Sequence, residues 1–258
     1  MDLDLTDKVV WVAGSTRGIG RSIAETFLQE GARVMINGRT KKDLDQAFGE
    51  LSMLWGAERL LAVQGDLTRE ADIRRCIEAV KQRAGGLDIL IANVGSGQGA
   101  VGWELGREEW TRLLELNLIA SSLLATCAIP LIRARGGGSI TFIASLAGVE
   151  ALPAPIPYAS AKAGLLALSK MLSRLLASEH IRVNTVAPGN IIFPGSVWRR
   201  KLDQEPGRVS SYISTEVPMQ RMGTPEEVAN AVVFLASPRA SFITGSCLLV
   251  DGGQARGW

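Results

Sequence analysis

The chain has 258 residues, 47% of them hydrophobic and 21% charged, with 28 basic against 26 acidic side chains and a single histidine. A formal net charge of +2, spread evenly along the chain, is too small to build a basic face, so neither nucleic acid nor an anionic membrane is expected as a partner. One histidine and the widely spaced Cys76, Cys127 and Cys247 lack the ligand spacing of a zinc site, so no metal is expected and the thiols should be reduced.

This length fits one α/β domain over residues 1–258. The start Met1-Asp2-Leu3-Asp4 has neither the basic residue nor the apolar run of a secretory signal, and the cytoplasm is the expected compartment. Leu113 to Ile132 approaches the length of a membrane span. It contains Glu115 and Asn117 and ends beside Pro130 and Arg133, which predicts a buried helix instead.

Short Val/Ile/Leu-rich runs alternate with stretches of helical period, the pattern of βα units around a parallel sheet. The first strand is predicted at Lys8–Ala13. The first helix follows at Gly18–Glu30, where Ile19, Ile23, Phe27 and Leu28 recur at helical spacing and Gly31 stops the run. A strand at Arg33–Asn37, a helix at Lys41–Trp55, a strand at Leu60–Gln64 and a helix at Glu70–Ala84 come next. They are followed by a strand at Leu87–Ala92, a helix at Glu108–Arg135, a strand at Ser139–Ala144, a helix at Tyr158–Ser178 and a strand at Arg182–Val186. Residues 189–223 then lapse into a Pro/Gly-punctuated segment holding Phe193, Trp198 and Tyr212, placed where an α/β fold carries a lid. Thr224, Pro225 and Glu227 form a capping-box start for a helix at Pro225–Ala236, and Cys247–Val250 is the last strand. The sum is a Rossmann-like, doubly wound α/β sheet of seven mainly parallel strands with helices on both faces.

After strand one the chain reads Ala13-Gly14-Ser15-Thr16-Arg17-Gly18-Ile19-Gly20. Glycines sit where the chain must turn, approach a ligand and pack a helix on a strand, and the following helix aims free N–H groups at a phosphate. The end of strand two, Asn37-Gly38-Arg39, offers no carboxylate for ribose hydroxyls, while Arg39 and Arg17 carry planar forks suited to phosphate oxygens. NADP(H) is therefore the expected cofactor; the competing reading makes both arginines solvated surface charges.

The G-x-x-x-G-x-G spacing resembles the short-chain dehydrogenase/reductase family, and the resemblance runs from about Lys8 to Gly253. A second part of it is Ser145, then Tyr158 and Lys162 four residues apart on one helix face, with Asn117 upstream. Ser145 falls just past strand five, at the carboxyl edge where ligands bind in open α/β sheets. Reducing a carbonyl leaves an alkoxide that needs a proton donor, and a phenol near its ordinary pKa of about 10 serves poorly at neutral pH. A neighbouring ammonium lowers such a pKa by about 1–3 units, and Lys162 is placed to do so.

The resemblance implies that Tyr158 is the general acid in reduction and base in oxidation, and that Lys162 also holds the nicotinamide ribose. It further implies that Ser145 orients the carbonyl and that Asn117 supports a water relay. Asp66-Leu67 resembles the family's adenine-contacting pair, with a helix-cap role for Asp66 as the alternative. Asn93 and Gly95 stand at the strand-four end beside the cofactor, and Pro188-Gly189 should line the carboxamide side. The chain departs from the family pattern at Ala13 and at Phe193, each where a Thr is usual, and at Val94.

The nearest branch is that of the 3-oxoacyl-carrier-protein reductases. The expected reaction interconverts a ketone and a secondary alcohol by hydride transfer, on a small-molecule ketone, steroid-like or polyol substrate. Carrier-protein binding would need basic residues such as Arg133 and Arg135 at the entrance, but Glu179 opposes them. Phe193, Val197, Trp198 and Tyr212 either form an aromatic pocket or pack the lid down. His180, closing the Tyr158 helix, is expected as a cap. The family implies a homotetramer built by pairing apolar helices. The alternative function is a cofactor-binding regulator of the same fold with little turnover.

Overall fold

A computed structural model of the chain describes residues 1–257. Its first half contains β1 (Val9–Val12), α1 (Gly18–Gln29), β2 (Arg33–Gly38), α2 (Lys41–Trp55), β3 (Leu60–Gln64), α3 (Glu70–Ala84), β4 (Ile89–Ala92), α4 (Arg107–Leu114) and α5 (Ala120–Ala134). The second half contains β5 (Gly138–Ile143), α6 (Ile156–Leu176), β6 (Ile181–Pro188), α7 (Val197–Gln204), α8 (Pro206–Glu216), α9 (Pro225–Ala236) and β7 (Cys247–Val250). All seven strands join one sheet in the order β3-β2-β1-β4-β5-β6-β7, and every pairing is parallel.

The strand residues alternate between two cores because successive side chains leave opposite faces of a pleated strand. Val10, Val12, Val34, Ile36, Ile89 and Ile91 meet α1, α2 and α9 on one face. Trp11, Met35, Leu90, Ala92, Ile140 and Phe142 meet α3, α5 and α6 on the other. Both faces are covered, which explains strands apolar at nearly every position. Burial of each large side chain, such as Trp11, Phe27 or Phe142, contributes about 1.5–3 kcal/mol.

The direction of winding reverses between β1 and β4, which pair through Val10 and Ile89, Trp11 and Leu90, and Val12 and Ile91. A cleft therefore opens beyond their carboxyl ends. Two expectations are corrected. The helix predicted over 108–135 contains a wide π turn at Glu115–Ile119, because the Asn117 amide donates to the Leu113 carbonyl at 3.1 Å and the Ala120 N–H reaches back to Glu115. The segment 189–223 is also less irregular than expected: Ser196 accepts from Arg199 N–H to start α7, and Pro206 opens α8. The helical stretch Arg107–Ala134 has the length and apolarity of a membrane span, and one side of it lies on α3, α6, β4 and β5.

Candidate active site

The turn from β1 into α1 is held by side chains on either side of it. Ser15 Oγ donates to Val12 O at 2.8 Å and accepts from Asn37 N–H at 2.9 Å, a loop-ordering hydroxyl two residues after Ala13. Asn93 Nδ2 donates to the carbonyls of Ala13 and Gly14, both at 3.2 Å. Gly20 packs so closely that a Cβ there would stand 2.3 Å from Gly14 O, so the helix start can come no nearer with any other residue. The α1 N-terminus has no side-chain cap and no acidic residue in its first turn, leaving its N–H groups directed at the cleft.

At the end of β2, Asn37 and the candidate Arg39 differ in exposure. Asn37 is 2% exposed and its amide donates to Val63 O at 2.9 Å, although it still borders the cleft. Arg39 is exposed, as is Arg17, and neither has an acidic partner among the described residues. Asp66 lines the cleft, and its Oδ1 accepts from Thr68 N–H at 3.1 Å and Thr68 Oγ1 at 2.8 Å; it orders the turn before α3 but does not cap that helix, whose N-cap Arg69 has no side-chain partner.

The polar group expected for catalysis is drawn together. Ser145 follows β5, and Tyr158 and Lys162 lie one turn apart on α6. Lys162 is only 4% exposed; its Nζ donates to Ile143 O at 2.8 Å and lies 5.9 Å from the centre of the Tyr158 ring. Burial pushes the ammonium down to about 8. Burial also pushes the Tyr158 phenol above its ordinary value, opposed by a hydrogen bond from Ser145. The expected depression of Tyr158 by Lys162 is not found: desolvation sets the direction, Ser145 alone opposes it, and the Lys162 ammonium is turned to a carbonyl.

Asn117 stands behind the cleft wall rather than in it. Its Oδ1 accepts from Ser96 N–H at 2.9 Å, and its Nδ2 donates to Ser96 O at 3.2 Å as well as to Leu113. Between it and Lys162 lies Gly95, with φ +155°, where a Cβ would fall 2.5 Å from Asn117 Oδ1 and 3.0 Å from Lys162 Nζ.

Most of the predicted site residues border one cleft of about 700 Å³, within the range of small-molecule sites. Gly14, Thr16, Arg17, Ile19, Gly20, Arg39, Asp66, Leu67, Asn93, Gly95, Ser145, Tyr158, Lys162, Pro188 and Gly189 all line it. Ser15, Gly18 and Asn117 do not: Ser15 is buried in the turn, Asn117 is behind Ser96, and the Phe193 ring stands against Gly18, 2.4 Å from where a Cβ would lie.

The four pocket candidates Phe193, Val197, Trp198 and Tyr212 all line the cleft, Phe193 against Gly18 of the glycine-rich turn. The Trp198 and Tyr212 rings stack with centroids 5.1 Å apart. Gln98, Asn190, Lys201 and the 152–155 segment also border the cleft; no local spacing in the sequence marks them.

Arg133, Arg135 and Glu179 prove irrelevant to the entrance. Arg133 pairs with Glu179 and Arg135 with Asp88, all at the amino edge of the sheet, opposite the cleft. His180 has φ +57° and caps the short helical turn Ala177–Glu179, as expected.

A family model described as Enoyl-(Acyl carrier protein) reductase matches residues 13–255. The chain is 33% identical to a 3α-hydroxysteroid dehydrogenase of Mediterraneibacter gnavus, over 98% of each chain. It is 35% identical to a 3-oxoacyl-[acyl-carrier-protein] reductase of Chlamydia muridarum, over 97% of this chain and 98% of that one. The solved L-sorbose reductase of Gluconobacter frateurii, complexed with NADPH and L-sorbose, superposes with a TM-score of 0.94 over 100% of both chains at 35% identity. Sheet order, turn, Ser-Tyr-Lys group and relatives agree: the chain is an oxidoreductase of the short-chain dehydrogenase/reductase family, in its 3-oxoacyl-carrier-protein reductase-like branch.

Proposed function

We propose that the protein interconverts a ketone and a secondary alcohol with NADP(H), with Tyr158 as general acid and base. The observation that carries this reading is the convergence of Ser145, Tyr158 and Lys162 on the cleft that also receives the uncapped start of α1. The chain's residues fit a phosphorylated dinucleotide. The tight Gly20 contact leaves a cradle before α1, and Arg17 and Arg39, lacking acidic partners among the described residues, can take a 2′-phosphate.

The bound cofactor supplies or accepts the hydride. Ser145 polarises the carbonyl oxygen with its hydroxyl, and Tyr158 places its phenolic proton on that oxygen as negative charge develops. Because burial favours the neutral phenol, Tyr158 holds the proton that reduction requires at neutral pH, and Ser145 opposes the rise that would make it a weaker acid. In oxidation the same group must first lose its proton, and the Lys162 charge favours the phenolate that forms. Residues 189–223 act as the lid of a single domain, with Trp198 and Tyr212 giving the cleft its aromatic wall. A carrier protein is disfavoured, since Arg133 and Arg135 are paired and stand away from the entrance. Met171 and Leu175, 64% and 67% exposed on α6, support pairing of helices in a homotetramer.

The test is NADPH consumption, or NADP reduction, over a panel of L-sorbose, a 3α-hydroxysteroid, a 3-oxoacyl thioester and simple ketones. Tyr158→Phe should lower kcat by about 10²–10⁴ with NADPH binding retained. Near-normal turnover in that variant overturns the assignment, and tight NADPH binding without turnover on any compound favours the regulatory alternative.

A further inference from the structure

Resting on that reading, we propose that Gln254 is a positioning residue that holds the aromatic wall of the substrate pocket. After β7 the chain turns at Gly252-Gly253 and buries Gln254, which is 5% exposed. Asp251 fixes this turn, accepting from Gly253 N–H at 3.0 Å and from Ala255 N–H at 2.7 Å. Both ends of the Gln254 amide are engaged. Nε2 donates to the Tyr212 hydroxyl at 2.6 Å, and Oε1 accepts from Asn190 Nδ2 at 2.8 Å. Asn190 Nδ2 also reaches the same hydroxyl, at 3.4 Å.

This triangle joins parts of different rigidity. Asn190 follows Pro188-Gly189 at the end of β6, where Gly189 N–H donates to Val250 O at 3.0 Å, so it moves with the sheet. Tyr212 belongs to α8 in the lid, lines the cleft, and stacks on Trp198 of α7. Lys201 Nζ in turn stands 4.7 Å from the Trp198 ring centre. Gln254 thus references an aromatic pair carried by two lid helices to the end of a central strand.

The residues after it extend the same tie. Arg256 pairs with Glu216 at the end of α8 at 2.8 Å, and the N–H groups of Arg256 and Gly257 both donate to Glu150 at 3.0 Å. Glu150 lies in the segment between Ser145 and Tyr158, so the last residues connect both walls of the cleft. A wall fixed before the substrate arrives costs less ordering on binding. Gln254 itself does not line the cleft and acts through Tyr212.

In the full chain, Gln254→Leu leaves Asn190 and Tyr212 only their long mutual contact at 3.4 Å. It should raise KM about tenfold for the panel compound with the highest turnover, leaving kcat within about twofold and the NADPH Kd unchanged. Gln254→Glu, which still accepts from Asn190 and from the Tyr212 hydroxyl, should restore KM. Tyr212→Phe combined with Gln254→Leu should add little to either change alone, since both break one link. Hydrogen exchange over residues 206–216 should rise in Gln254→Leu while residues 18–29 stay as in the parent. An unchanged KM, KM and NADPH Kd rising together, or full additivity with Tyr212→Phe each overturn the role. The exchange measurement needs no turnover: a chain that reduces nothing overturns the proposed reaction, whereas unchanged exchange over 206–216 overturns the role of Gln254.

Discussion

Lys162→Met is expected to abolish turnover and yet make the protein harder to unfold near neutral pH. The Lys162 ammonium falls from an ordinary value of 10.5 to about 8 in the fold, so charging it there costs about 3 kcal/mol relative to the unfolded chain. Methionine has a similar length and no charge. Its substitution forfeits the bond to Ile143 O, worth about 1–2 kcal/mol, and leaves a net gain of about 1–2 kcal/mol. For a chain of this size that is a rise in Tm of several degrees, at about 2–4 °C per kcal/mol.

The sign of the pH dependence follows from the same numbers. The folded state holds fewer protons than the unfolded one between about 8 and 10.5, so the parent's penalty is complete below about 8 and is relieved as pH rises through that window. The advantage of Lys162→Met should therefore shrink between about pH 7 and about pH 9. Urea unfolding of both proteins at the two pH values measures it. A variant less stable than the parent by the same amount at both would refute the argument that Lys162 is held charged against its surroundings.

Other consequences are as direct. Arg39→Asp should lower kcat/KM for NADPH by about 10²-fold and raise that for NADH, because a carboxylate there repels a 2′-phosphate and accepts ribose hydroxyls; paired kinetics with the two cofactors decide it. Gly95→Ala drives a methyl group into Asn117 Oδ1 and Lys162 Nζ, both buried, and should reduce kcat by about 10²-fold with the fold intact by circular dichroism. Met171→Asp with Leu175→Asp should lower the oligomeric state in sedimentation velocity without altering the far-ultraviolet spectrum.

What could be read from the chain was what has a local cause. The strands were visible because both their faces are covered, and α2, α3 and α9 have the predicted ends because each is bounded by its own turn residues: Thr40 and Gly56 for α2, Gly85 after α3, and Pro225 and Glu227 for α9. Tyr158 and Lys162 stood out because one helical turn separates them. The wide turn at 115–119 was hidden because its cause is tertiary: Asn117 bonds to Ser96, distant in sequence, and to Leu113. The helices α7 and α8 carried their signals, Ser196 and Pro206, but among several prolines and glycines these looked like breaks. Gln254 was beyond reach for another reason, since its partners lie 42 and 64 residues away. The balance at Tyr158 also needed coordinates, because spacing shows that a lysine is near but not that its ammonium bonds a carbonyl while burial raises the phenol.

The wide turn also works as a mechanical decoupler. One residue more than a regular turn rotates everything after it by about 100°, so the 28-residue rod from Arg107 to Ala134 is two faces out of phase. Its first part lies on α6 beside the reacting groups, and its second on α3 and the sheet. Changes of side chain that suit one neighbour need not disturb the other. A single helix can then vary where it packs on the helix that carries Tyr158 and Lys162 while its far half stays committed to the core.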